Sequence, residues 1–143
     1  MSVFSGAAGN DFVIDNARGL IYISTDNGEI QRYDIDAQSF VSAITVGSLL
    51  QGLSLSQDGN TLVVADRTLV TDNGINFAQF HTIDLDTLSV STVEFASNAI
   101  RDVAFDVAVD VNDNVIVSTS LFRLPRCLGK QCIAITQAFE LLC

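Results

Sequence analysis

Turn signals recur along this chain about every ten residues: NARG at 16–19, DNG at 26–28, DAQS at 36–39, GS at 47–48, QDGN at 57–60, TDNG at 71–74, DT at 86–87, SN at 97–98 and VNDN at 111–114. That spacing leaves room for strands and little for helices of ordinary length, so it points to an all-β fold. The segments between the turns agree: LIYIST, FVSAITV, TLVVAD and LSVSTVEF are short and rich in β-branched residues. In EIQRYDI, Ile30, Arg32 and Asp34 alternate with Gln31, Tyr33 and Ile35, the pattern of a strand with one wet and one packed face. The acids fit the same picture. Fourteen of the seventeen are aspartate, which favours turns, rather than glutamate, which favours helices.

The segments also repeat. Asp11 to Gly47 is one unit, Leu49 to Ala96 a second, and a third begins at Ile100 and stops near Ser120. Leu20–Ser24 aligns with Leu62–Asp66 at an offset of 42, and Asp34-Ile35-Asp36 with Asp84-Leu85-Asp86 at an offset of 50. The difference is an insertion, expected as a surface loop at 67–76, where extra length costs little entropy. A four-strand repeat of this length is the period of a β-propeller blade, roughly 40–45 residues in the best-known type. A sandwich has no reason to repeat. The expected fold is therefore a partial β-propeller of four-stranded antiparallel blades: an N-terminal arm at 1–10, blade 1 at 11–47, blade 2 at 48–96, a partial blade 3 at 97–121 and a tail at 122–143.

GLSLSQDGNTLVVAD followed by HTIDLDTLSVSTV resembles the repeat of the YVTN-type bacterial β-propellers. Ser56, Asp58, Gly59, Leu62, Val64, Ala65, Ile83 and Asp84 carry the likeness; Gln57 stands in place of the usual proline and Asp66 in place of asparagine. The first unit keeps LIYIST and YDID but has NARG where the family has Asp-Gly. The resemblance implies the propeller fold over residues 11–120. It implies no single activity, because that repeat serves lactonase-like enzymes, haem and quinone enzymes and surface-binding modules alike.

The tail is unlike the body. Through Phe122 the net charge is −12, whereas Arg123–Cys143 carries +2 together with the only proline and all three cysteines, Cys127, Cys132 and Cys143. No further "ile-asp" strand follows VIVSTS. An out-of-frame or fusion end is expected, with a natural cap over the exposed edge as the alternative. The overall charge of −10 disfavours nucleic acid and anionic membrane surfaces as partners. No apolar stretch is long enough for a spanning helix, and MSVFSGAAGNDF has no signal-peptide pattern; by resemblance, the parent protein is expected to be secreted, periplasmic or on the cell surface.

Chemistry is sparsely signalled. His81 is the only histidine, sits on an expected strand and has no G-x-S-x-G partner, so a role satisfied by its strand neighbours is expected. Asp110-Val-Asn112-Asp-Asn114 has the look of a calcium loop, but Val115 stands where an EF-hand needs glycine and Leu121 where it needs glutamate. Cys127 and Cys132 have no second pair to make a zinc site. The expectation is no catalytic residue and no cofactor, with Asp34, Asp84, Asp110 and Asn112 as weak calcium candidates and Asp36 and Asp86 as turn caps. The function expected is a non-catalytic propeller module presenting loops to a protein or carbohydrate, with self-association through unpaired edge strands. The alternative is a piece of a lactonase-like or metal-dependent hydrolase with an incomplete channel site.

Overall fold

The computed structural model describes residues 8–97, 103–119, 126–128 and 131–133. Most of the expected N-terminal arm, Cys143 and much of the 122–143 tail lie outside the described residues. Among the described residues all regular structure is strand. The first sheet is a meander of β1 (Gly9–Asp15), β2 (Leu20–Thr25), β3 (Glu29–Asp34) and β4 (Ser39–Thr45). The second repeats it with β5 (Leu50–Leu55), β6 (Thr61–Asp72), β7 (Ile75–Asp84) and β8 (Val90–Ser97). Both are antiparallel throughout.

The third sheet begins in the same way with β9 (Ala104–Val109) and β10 (Val115–Thr119). It does not stop there. β11 (Arg126–Leu128) and β12 (Gln131–Ile133), both from the tail, complete four strands in the order β11-β12-β10-β9. The sequence led to two strands here and a separate tail; instead the tail joins the same sheet. β11 runs back along the far edge, and its return strand β12 fills the gap next to β10, which forces β12 parallel to β10 with Cys132 opposite Ile116.

Hairpin registers correct the sequence alignment by one residue. In the first sheet Asp15 pairs with Leu20 around four turn residues; in the second, Ser56 N–H donates to Thr61 O around four. Ile35 N–H donates to Gly19 O, and Leu85 N–H to Asn60 O. Leu20 therefore corresponds to Thr61, at an offset of 41 rather than 42, while the third strands keep the offset of 50. The single residue matters because a strand's side chains alternate faces, so a slip of one sends every side chain to the wrong side. In the corrected frame Phe12, Ile14, Ile21, Ile23 and Tyr33 correspond to Leu53, Leu55, Leu62, Val64 and Ile83. Val107, Val109, Val115 and Val117 of the third sheet hold the same positions.

Packing follows from that equivalence. Leu53, Leu62, Val64 and Ile83 of the second sheet are buried against Tyr22, Ile30 and Ile44 of the first. Val107, Val115, Val117 and Ala104 of the third are buried against Val63, Ala65, Phe80 and Phe95 of the second. Each sheet thus buries one kind of face against the opposite kind on its predecessor. Each large aliphatic side chain fully withdrawn from water contributes about 1.5–3 kcal/mol. At the inner edge β1 lies against β5, and β5 against β9.

The insertion is not a loop. Residues 67–76 lengthen β6 and β7 into a continued ladder, Val70 opposite Phe77 and Asp72 opposite Ile75, with a bulge between Asp66 and Val70. Asn73 (φ 48°) and Gly74 (φ 79°) close it as a two-residue turn with both central residues left-handed, the type that matches strand twist.

Candidate functional site

The carboxylates singled out in the sequence hold turns. Asp34 Oδ1 accepts from Ala37 N–H (2.8 Å); Asp84 Oδ1 accepts from Asp86 and Thr87 N–H (2.9 Å each). Asp110 Oδ1 accepts from Asn112 and Asn114 N–H (2.8 Å each), and its Oδ2 from Asn114 Nδ2 (2.8 Å). These bonds hold Asp84 and Asp110 below the usual carboxylate range, led by Thr87 N–H and the Asn114 amide respectively. The first aspartate of each pair caps its turn, reversing the expectation for Asp36 and Asp86. Strand geometry is the reason: only the last strand residue has its side chain placed to turn back onto the amides two and three residues on. Asp36 and Asp86 are both exposed, and Asp86 Oδ1 accepts from the guanidinium of Arg18 on the first sheet's turn (2.7 Å). Asn112 contributes its backbone N–H to the Asp110 turn. Asp34, Asp84 and Asp110 sit on three separate turns, and among the described residues no three carboxylate, histidine or cysteine groups converge as metal ligands would.

His81 is buried and bonded at both nitrogens. Nε2 donates to Asp66 Oδ2 (3.0 Å), and Nδ1 meets Thr92 Oγ1 (2.9 Å) on β8. Asp66 is the centre of this cluster. It is fully buried and accepts from Ser48, Leu49 and Thr68 N–H and from Gln79 Nε2. Burial works to raise its pKa, but the bonds from His81, Thr68 and Ser48 outweigh it and hold the group far below its ordinary value. A Cβ on Gly47 would collide with Asp66 Oδ2 and His81 Nε2, so glycine is required where the connection between the two sheets passes over the pair. Gly28 (φ 81°) supports the same connection: its carbonyl accepts from Val46 and Gly47 N–H. Sequence reasoning missed Asp66. Its one signal was the exchange of asparagine for aspartate at the end of a strand matching the family pattern.

Arg18 was also missed. It reaches from the first turn of sheet one to Asp15 Oδ2 (3.1 Å), Gly59 O (2.6 Å), Asn60 Oδ1 (3.2 Å) and Asp86 Oδ1 (2.7 Å). The two sheets are thereby tied at their turn end. At the inner strands, Leu53 N–H donates to Asp11 Oδ2 (2.8 Å) and Ser24 Oγ donates to Gln51 O (2.5 Å). These polar groups all join one blade to the next.

Among the described residues, two surfaces stand out as uncovered. The outer face of the first sheet shows Phe12 (63% exposed) and Ile14 (45%) beside half-buried Ile21 and Ile23. Between β1 and β2 it holds an open depression of about 580 Å³ that reaches Ala8 and Asn10. On the same face Tyr33 meets Phe40 edge-on, with centroids 5.2 Å apart. The second surface is the lengthened β6/β7 hairpin. Its tip carries exposed Ile75, and at its base the Arg67 guanidinium lies over the Phe105 ring, 5.5 Å from the centroid.

Among solved structures, the chain is similar to the β-propeller domain of Cps50 (Swd1) from Myceliophteria thermophila: TM-score 0.58, 15% identity, over 75% of this chain and 30% of that one. The fold is that of a β-propeller. The RRP9 WD40 repeats match at TM-score 0.55 and 13% identity, over 74% of this chain and 30% of theirs. The dihydro-heme d1 dehydrogenase NirN matches at 0.58 and 18%, over 78% and 23%. This propeller chain therefore spans less than a third of the length of those structures. No family model and no curated protein matches it.

Proposed function

We propose that this chain is a non-catalytic propeller module that holds a protein partner through the β6/β7 hairpin. The observation behind it is the hairpin's build. Four residues of β7, Ile75–Ala78, run past the position where β3 begins in the first blade, a projection of about 13 Å. Laddered on both sides and closed by a two-residue turn, it is a stiff arm rather than a floppy loop, which lowers the ordering cost of binding. The groups that could have done chemistry, His81 and the turn aspartates, are engaged in holding the fold.

The test compares the full chain with a variant in which 67–76 is shortened to the length of the first blade's turn, both immobilised against an extract of the source cells. A specific protein retained by the full chain and lost with the arm, at equal thermal midpoint, is the expected result. Equal retention by both, or turnover of a simple lactone or ester by the full chain, overturns the reading.

A further inference from the structure

We propose that the exposed face of the first sheet is the docking site for the third sheet of a second copy of this chain, two copies closing one ring. The corrected register supplies the argument. Phe12, Ile14, Ile21, Ile23 and Tyr33 occupy the positions of Leu53, Leu55, Leu62, Val64 and Ile83, the face that the second sheet buries against the first. The exposed face of sheet one is thus built as a blade-receiving face and stands open.

The third sheet carries the matching grip. In the first sheet Asp11 pairs with Ser24, and these two side chains hold the inner strand of the next blade at Leu53 N–H and Gln51 O. In the third sheet Asp106 pairs with Ser118 at the corresponding positions. The likeness extends to detail: Ser24 Oγ lies 3.4 Å from Asp11 O, and Ser118 Oγ 3.5 Å from Asp106 O. The corresponding receivers on a second copy are Phe12 N–H and Asn10 O. Asp106 is exposed on its outer side, while its Oδ1 accepts from Val107 N–H (2.9 Å) and lies against Gly52 of the second sheet, which has no side chain to reach that amide; docking requires the carboxylate to turn outward. Ile116 stands where Tyr22 and Val63 face their successors, half-buried beside Ser118.

The contact is head-to-tail, and head-to-tail contacts either close a ring or run on as fibres. The three sheets of the described residues make six from two copies, within the roughly four to eight that close a propeller.

Native mass spectrometry and sedimentation of the full chain over a concentration series test this. The expected species is a dimer of twice 15.3 kDa. Phe12→Glu, on a side chain already exposed, puts an unpaired carboxylate into the contact and weakens association roughly a hundredfold or more; the double variant Asp106→Ala/Ser118→Ala also weakens it. Ile14→Lys repeats the first test should Phe12→Glu lower the thermal midpoint. The deciding measurement mixes the two variants: each keeps one intact face, so a head-to-tail contact restores a one-to-one heterodimer through a single interface. A monomer at all concentrations, a Phe12→Glu chain that associates like wild type through its strand edges, or a mixture that forms no heterodimer overturns the proposal.

Discussion

At the scale of single residues, buried polar groups carry much of the specificity, and Asp66 is the clearest case. Five donors converge on it, so Asp66→Ala leaves them without an acceptor in the interior and is expected to cost about 3–5 kcal/mol in urea unfolding. Its pH dependence has a definite sign. The folded-state pKa lies below the unfolded value of 3.8, so the stabilisation is present above that value and erodes as pH falls through and below it. The stability gap between wild type and Asp66→Asn should narrow as pH is lowered from about 7 to about 3. Backbone strain gives a prediction of opposite direction. Gln38 is exposed with φ 52°, and Leu88 holds the same turn position with φ 60°. Gln38→Gly removes a left-handed side chain costing about 1–2 kcal/mol, against about 0.5–1 for glycine's extra chain entropy. A net gain of about 0.5 kcal/mol is expected by the same unfolding assay.

At the scale of elements, the strands were legible because β-branched runs between turn residues leave few alternatives. The register was not. LIYIST and TLVVAD align equally well at offsets that differ by one, since both are nearly continuous apolar runs, and only the turn bonds at Gly19 and Asn60 separate the two. Asp34/Asp36 and Asp84/Asp86 were legible as repeated pairs, but which member of each caps depends on where the strand ends, a tertiary fact. The 67–76 insertion looked like a loop for its turn residues, although Thr68, Leu69 and Val70 are ordinary strand formers and the ladder resumes at Val70 after the bulge. Arg18 could not be read as a tie, because its acceptors at 59, 60 and 86 are brought to it by packing alone. Arg18→Ala should leave the buried Asp15 carboxylate without its cation and cost about 1–3 kcal/mol, measured by urea unfolding. Because Asp15 is only 2% exposed, that loss should change little with added salt.

At the scale of the whole molecule, repeat period and alternation were enough for an all-β propeller arrangement, whereas the inter-blade chemistry was hidden in residues with no motif of their own. The turn carboxylates show the contrast. Read as a series they suggested calcium; in place, each accepts N–H groups from its own turn. Millimolar calcium is expected to raise the thermal midpoint no more than magnesium does, and a calcium-specific rise would reassign Asp34, Asp84 or Asp110. The inner-strand grips have a wider meaning. Asp11 and Ser24 grasp the main chain of the following blade at Leu53 N–H and Gln51 O, not its side chains. Every blade offers that main chain whatever its sequence, so a unit can be duplicated, exchanged or left to drift without its neighbour having to change in step. Repeats joined through the main chain can differ in sequence as loosely as the first two units do and still seat one another.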